Sequence, residues 1–420
     1  MLHNIPTDEL GPRGEAMAEA VGKCVHCGFC LPACPTYQEL ESEMDSPRGR
    51  ILLMKSVLEG ELEMEQAQPH VDRCLGCLAC VTHCPSGVEY GELVSSYRDH
   101  VEQKTRTRKY SLRDWLVGLT LPYAKRFRLA VTFGRLTKPL QWAVPKSLRP
   151  MLELVPDELP PRQPLPEVIP AEGKRRGRVA LLVGCAQQVL APDINASAAR
   201  VLSRNGIEVY VAPDQGCCGA LAWHTGQGNT ASKFARRFMS SIPDDVDCLV
   251  TTAAGCGSAI SEYPLLLAGT DVEQDAKSLA ARTMDISVYL DQLDLAPIPA
   301  LETPKRVAYH DACHLGHAQG VRSEPRRLLR QIGNLELVEL SDTDTCCGSA
   351  GTYNIEQPEI AQSLGRRKAD LVIESGASAV VTGNIGCLVQ IEKHLQESSN
   401  RVAVLHTVQI LDRAYQKKLG

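Results

Sequence analysis

Cys24-Val25-His26-Cys27-Gly28-Phe29-Cys30-Leu31-Pro32-Ala33-Cys34-Pro35 has its spacing repeated in Cys74-Leu75-Gly76-Cys77-Leu78-Ala79-Cys80-Val81-Thr82-His83-Cys84-Pro85. Three thiolates two residues apart can reach three corners of one metal cluster only where the chain wraps it as a tight loop. The fourth corner needs a thiolate from elsewhere, and the cysteine before proline is available for it. Gly28, Gly76 and Ala79 are small, so the backbone can come close enough to donate N–H groups to sulfur. Pairs of CxxC also bind zinc. Zinc pairs, however, do not account for a third and fourth cysteine at the same offsets twice, or for the proline after each. The reading is therefore iron–sulfur.

The spacing resembles that of two-cluster bacterial ferredoxins, in which the cysteine before proline ligates the other cluster. The resemblance implies two [4Fe–4S] clusters, one on Cys24, Cys27, Cys30 and Cys84 and the other on Cys74, Cys77, Cys80 and Cys34.

The rest of the chain is larger than such a module. Its 420 residues, 44% of them apolar, suggest about three domains with sizeable cores. Met1 to Asp8 has no charged segment leading into an apolar run, so the 17 cysteines are expected to be reduced and the location cytoplasmic. Peripheral contact with the inner face of the cell membrane is a second option. No run of about 18 apolar residues could span a bilayer. The net charge of −5 argues against a generally basic, nucleic-acid-type surface.

Between the cysteine runs, Ser46 is placed as a helix N-cap, with Pro47 at the first helical position and Gly60 as terminator. That helix would pack Leu53, Met54, Val57 and Leu58 over the clusters. Arg48 and Arg50 either steady the anionic clusters or are solvated first-turn residues. Residues 104–149 hold twelve Lys or Arg (among them Arg106, Arg108 and Lys109) against one acid, Asp114, mixed with Trp115, Leu116, Leu119, Leu121, Phe127, Val131, Phe133 and Trp142. This pattern fits a helical connector whose apolar face packs on the protein. It also fits a helix lying on an anionic membrane. Pro156, Pro160, Pro161, Pro164, Pro166 and Pro170 then make a semi-rigid tether.

From residue 177 the chain repeats itself. Val179–Val183 leads to Cys185, then Cys217-Cys218-Gly219, then Cys248–Thr252 and Cys256. Val307–His310 leads to Cys313, then Cys346-Cys347-Gly348, then Ala379–Gly383 and Cys387. The offsets from Cys185 to Cys313, Cys217 to Cys346 and Cys256 to Cys387 are 128, 129 and 131 residues, a duplication. Short β-branched runs alternate with the helical patterns Ala196–Arg204, Thr230–Met239 and Pro358–Glu374, which suggests parallel α/β units with Cys185, Cys256, Cys313 and Cys387 at strand ends. The expected fold is α+β and multi-domain. Residues 1–103 form a small, mostly helical bis-[4Fe–4S] domain and 104–176 a linker. Residues 177–298 and 299–420 form two duplicated α/β domains. Cys248 lies within a strand and reads as a buried small hydrophobe.

The second half resembles the cysteine-rich CCG domains of heterodisulfide reductases. In that family the full motif, ending in CxxC, can hold an unusual iron–sulfur cluster. Here Ala259 and Gln390 stand where the last cysteine would be. Cys185, Cys217, Cys218 and Cys256, with Cys313, Cys346, Cys347 and Cys387, therefore read as an additional cluster site, a redox-active thiol set or a remnant scaffold. His310, Asp311, His314 and His317 form a local polar group. It could ligate a metal or relay a proton to a quinone, or it could be a strand-end turn with Asp311 capping the next helix. His224, after the first CCG, is a weaker candidate, with Tyr353 near its counterpart position.

Across nearly its whole length the chain resembles iron–sulfur subunits of glycolate oxidase (glycolate dehydrogenase), with relatives in glycerol-3-phosphate and lactate dehydrogenase complexes. The segments Gly22–Gln38 and Asp45–Ile51 are closest to the glycolate form. The resemblance implies FAD on separate flavoprotein subunits that oxidise the 2-hydroxy acid, while this chain passes electrons toward a quinone or another acceptor. It implies no nucleic-acid partner and no catalytic residue on this chain. The sequence agrees: Gly226-Gln-Gly228 is followed by Ala231 where a dinucleotide loop would have a third glycine, and no binding strand precedes it.

Overall fold

The computed structural model describes residues 1–104, 112–398 and 402–418. Arg106, Arg108 and Lys109 lie outside that set.

Residues 1–104 are helical. Ser46 accepts a hydrogen bond from the Gly49 N–H at 3.0 Å and starts the helix Pro47–Leu58. Gly60 ends the segment at a φ of 76°, a conformation that costs glycine little. Leu53, Met54, Val57 and Leu58 are buried with Met17, Val21, Leu93 and Tyr97 in one apolar core. The helix Tyr90–Lys104 packs along Gly14–Lys23 and reaches toward the second half of the chain.

The helices Leu112–Thr120 and Ala124–Thr137 bury only Val117, Val131 and Gly134. Trp115, Leu129, Phe133, Leu136 and Trp142 point outward, Leu136 and Trp142 at 74% exposure. Most of the apolar side chains of this connector thus face away from the protein. No helix among the described residues is long and apolar enough to cross a membrane.

Two sheets follow. β1 (Val168–Ile169), β2 (Gly177–Leu182), β3 (Ile207–Tyr210), β4 (Cys248–Thr251) and β5 (Thr283–Asp285) are ordered β1-β3-β2-β4-β5. β6 (Lys305–His310), β7 (Leu335–Glu339), β8 (Ala379–Thr382) and β9 (Ala403–Leu405) are ordered β7-β6-β8-β9. Apart from β1, an antiparallel edge strand drawn from the proline-rich tether, every pairing is parallel. The order β3-β2-β4-β5 maps onto β7-β6-β8-β9, as a duplication requires. Leu182 pairs with Thr251 and His310 with Thr382, so the central strands end in register.

The repeats exchange their last helices. Ile286–Asp291, closing the first repeat, packs on Ser323–Arg330 of the second. Thr407–Tyr415, closing the second, packs on Pro192–Arg204 of the first. There Asp412 accepts from Arg200 at 2.7 Å and from Ser197 at 3.0 Å. One apolar core runs through both sheets, joining Val179, Leu181 and Val250 to Val307, Tyr309, Val381 and Leu411.

Candidate redox site

The two cysteine runs fold into two recesses. Cys24, Cys27, Cys30 and Cys84 line the first, under Phe29, Pro47 and Pro85, with Cys80 at its border. Cys34, Cys74, Cys77 and Cys80 line the second, with Pro35, Leu75 and Tyr90. Each recess thus gathers three cysteines of one run and the proline-linked cysteine of the other. The loops wrap through positive φ at His26, Gly28, Gly76 and Leu78. Gly28, at a φ of 89°, adopts a conformation that favours glycine, and a Cβ there would press only on the movable end of Arg48, 2.8 Å from Nη1.

The donors fit clusters chemically. Burial pushes the Cys30 thiol up to about 11 and holds Cys77 and Cys80 above the ordinary thiol range, so they need a metal to ionise. Cys74 goes the other way. Burial opposes its charge, but the Arg50 and Arg98 guanidiniums outweigh that and lower it.

The two arginines of the intervening helix have different roles. Arg50 is 1% exposed and donates to His70 O at 2.7 Å, Thr36 Oγ1 at 2.9 Å and Asp45 Oδ1 at 3.4 Å, with Cys34 Sγ at 3.9 Å. Arg48 is half-buried, held by Glu43 at 2.7 Å and the His26 carbonyl at 3.2 Å.

In each cysteine-rich repeat the thiols form a hydrogen-bonded row, Cys185–Cys217–Cys218–Cys256 and Cys313–Cys346–Cys347–Cys387. Gly219 and Gly348, at φ of 83° and 85°, close the turns and donate N–H to Cys217 and Cys346 Sγ, each at 3.4 Å. A Cβ at Gly348 would meet Ala361 O at 2.7 Å. Hydrogen bonds from Cys185 and Cys218 draw the Cys217 thiol well below its ordinary range. Cys248 is buried in β4 and its thiol is pushed up to about 12 by burial, in keeping with a core role.

Both rows open onto one cavity of about 430 Å³ that Cys74 and Cys77 also border. Arg113, Val117, Leu121 and Tyr123 of the basic connector form another wall. Cys77 packs against the buried cluster that holds Cys313 and Cys346. His314 bridges the parts, bonding with Ser258 Oγ at 2.5 Å and donating to Gly76 O at 3.0 Å. Its ring is 5.0 Å from that of His224, and burial lowers it to about 4.

Asp311 does not cap the following helix, because a stronger partner takes it. Its carboxylate accepts two bonds from Arg326, at 2.9 and 2.7 Å, and the cap position falls to Ala312. His317 joins the halves, bonding with Thr82 Oγ1 at 2.9 Å and Asp344 O at 3.3 Å. Gly226-Gln-Gly228 is likewise a joint. The Gly228 N–H donates to Asp99 Oδ1 at 2.8 Å, and Arg98 O lies 2.6 Å from where a Gly226 Cβ would sit. Tyr353 holds Arg73 O at 3.0 Å. Gln390, at the missing cysteine position of the second repeat, is tied to Ala361 O at 3.0 Å and Asn354 Nδ2 at 3.1 Å.

Two residues escaped the sequence reading. Glu262 is raised to about 7 by burial, although the Trp223 indole N–H donates to it at 2.5 Å. Lys368 is 1% exposed and donates to Asp342 O. It sits on the apolar stripe Ala361, Leu364, Gly365, Val372, and a lysine at a core position of an amphipathic helix is a readable signal.

A 4Fe-4S dicluster domain family matches residues 20–88, and a cysteine-rich domain family matches residues 179–261 and 307–392. The glycolate oxidase iron–sulfur subunit of Escherichia coli (strain K12) is 36% identical over 421 residues, covering 98% of this chain and 99% of that protein. The chain belongs to the glycolate oxidase iron–sulfur subunit family. A probable member from Bacillus subtilis (strain 168) is also 36% identical, over 92% of each chain. Lactate utilization protein A of Oceanobacillus iheyensis (strain DSM 14371 / CIP 107618 / JCM 11309 / KCTC 3954 / HTE831) is 30% identical, over 56% of this chain and 96% of that protein. The dicluster match spans all eight N-terminal cysteines, and the chain's cofactors are two [4Fe–4S] clusters.

Proposed function

We propose that this chain is the electron-transfer subunit of a flavin-dependent 2-hydroxy-acid oxidoreductase complex, with glycolate as substrate. Partner subunits carrying FAD oxidise glycolate to glyoxylate, and a quinone or another acceptor takes the electrons. The two clusters, when bound, would take the two electrons of a reduced flavin one at a time and pass them on singly. The chain's own part is to assign Cys24, Cys27, Cys30 and Cys84 to one cluster and Cys34, Cys74, Cys77 and Cys80 to the other. It also excludes water with Met54, Leu93 and Tyr90, and sets the second recess against the thiol rows.

The observation that carries this reading is the packing of Cys77 with Cys313 at the edge of the shared cavity. It places the second recess and both thiol rows around one cavity. The use of Gly226 and Gly228 as a docking seam also favours a flavin on another chain. In the anaerobic complex, glycolate should reduce both clusters, read by EPR. Reduction by glycerol 3-phosphate or lactate with glycolate inert would move the chain to one of those relatives. Loss of turnover in Cys217→Ser and Cys346→Ser, with assembly preserved, would give the thiol rows redox work of the heterodisulfide-reductase kind.

The outward apolar face of residues 112–142 favours peripheral membrane contact. Trp115, Phe133, Leu136 and Trp142 are exposed beside Arg126, Arg135 and Lys138, the arrangement that suits an anionic bilayer surface. The chain should float with vesicles containing anionic lipid. Absence of binding at low salt would remove this contact.

A further inference from the structure

β2 and β6 are equivalent strands of six residues, and their last residues differ in kind. β2 ends in Leu182, packed in the apolar core of the first repeat, while β6 ends in His310. His310 is fully buried, and both of its ring nitrogens lack a hydrogen-bond partner. Among the described histidines it alone has both nitrogens in that condition. A core histidine kept for packing satisfies its nitrogens, since each unpaired buried polar atom costs about 1–3 kcal/mol. This imidazole is aimed at something other than a protein hydrogen bond.

Its neighbours identify the ligand class. A His310 ring nitrogen, Cys347 Sγ and Cys387 Sγ all lie within 4.8 Å of one another, and all three residues are buried. In a tetrahedral site with metal–sulfur bonds of about 2.3 Å, adjacent donors stand about 3.7 Å apart, so the trio needs to contract by about 1 Å at most. Cys346, in hydrogen-bond contact with Cys347, is next in the row and can supply a fourth donor. Two thiolates and an imidazole select a thiophilic, borderline metal over magnesium or calcium.

The surroundings are built to match. Asn384 Nδ2 donates to Cys387 Sγ at 3.5 Å and orients it. Lys368, anchored on Asp342 O, adds a buried cation whose charge reaches His310 and Cys313. Its counterpart in the first repeat is Phe238. The correspondence follows from Gly219 meeting Ala231 and Phe234 where Gly348 meets Ala361 and Leu364. Phe238, like Leu182, belongs to an apolar core. The second repeat therefore carries an imidazole and an ammonium at the two positions where the first carries hydrocarbon.

We propose that the second cysteine-rich repeat is a metal site in which His310, Cys347 and Cys387 ligate a thiophilic divalent metal, either a single ion or the iron of a cluster. Binding is a ligation step. Each ligating thiol gives up one proton to solvent and no electron moves. The site stands whether or not the thiol rows carry electrons.

The test uses the full chain, purified anaerobically with its dicluster domain loaded, and Co²⁺ as the probe. Wild type takes up cobalt outside the dicluster domain and develops thiolate-to-cobalt charge-transfer absorption. His310→Leu, which installs the first repeat's residue, weakens uptake by at least tenfold. His310→Cys retains uptake and strengthens the charge-transfer band, a rescue that a packing role would not produce. Should the leucine variant misfold, the cysteine variant still decides, because an unchanged band excludes residue 310 as a ligand. Wild type that neither holds metal outside the dicluster domain as isolated nor takes up cobalt, or a folded His310→Leu that binds as tightly as wild type, overturns the proposal. Iron and acid-labile sulfide in the chain as isolated separate the two sources. Extra iron without extra sulfide means a single ion, and both together mean a cluster.

Discussion

Replacing Arg50 with Met tests the electrostatics of the second recess, because the volume is kept and one buried charge is removed. Arg50 Nη1 stands 3.9 Å from Cys34 Sγ, which puts its charge about 6 Å from the centre of a cluster held there. At an effective dielectric of about 20, a unit charge at that distance is worth about 2.8 kcal/mol, or about 120 mV for a one-electron couple. Asp45 stays in the variant and offsets part of this only by taking up a proton once Arg50 is gone, so the expected fall in the potential of the second cluster is about 60–120 mV. The first recess, where Arg48 rather than Arg50 is the near cation, should barely move. Losing Arg50 also leaves Asp45 with only His70 at 3.1 Å and Arg73 at 3.2 Å beside it, and breaking such a buried pair costs about 3–5 kcal/mol of stability. EPR-monitored redox titration of the folded variant reads the potentials, and urea denaturation reads the stability. Two unchanged potentials would refute the reasoning, since no buried charge this close to a cluster can be neutral to its reduction.

Gly228→Ala should loosen the joint between the two halves, because its Cβ would overlap the Asp99 carboxylate; denaturation should register a loss of about 1–3 kcal/mol. Glu262 binds its proton more tightly when folded, so wild-type stability should fall as pH rises from about 4.5 to about 7, by up to about 3 kcal/mol from this group. Glu262→Gln should remove that slope, and a difference curve flat across the window would count against the buried carboxyl. Leu411→Ala opens a hole in the core that both repeats share, at a cost of about 2–5 kcal/mol. The two repeats should still unfold together, and separate transitions would contradict a common core.

Features set by local chemistry are legible in the residues themselves. The two thiol runs, the Ser46 cap and the strands ahead of Cys185, Cys256, Cys313 and Cys387 stand where spacing and apolar patterning put them. What the sequence leaves open depends on partners far along the chain. An amphipathic pattern says that Thr407–Tyr415 must bury a face, not that the other repeat supplies the cover. The same periodicity suits a helix packed on protein or one turned outward, which is why residues 112–142 can be read both ways. Asp311 reads as a cap because Arg326, which claims it, is 15 residues further on. His310 is visible as a candidate. Its two unpartnered nitrogens, and Leu182 at the equivalent strand end, gain their meaning from the three-dimensional match of the two sheets.

On the proposed function, the eight N-terminal cysteines hold two neighbouring cubanes inside a larger electron-transfer subunit. Iron, sulfide and EPR analysis of the anaerobically purified full chain tests it most directly. About eight iron and eight sulfide are expected from the dicluster domain. On full reduction, [4Fe–4S] signals broadened by interaction between the two centres are expected. Zinc in place of iron, or a reduced chain with no cubane signal, would contradict it.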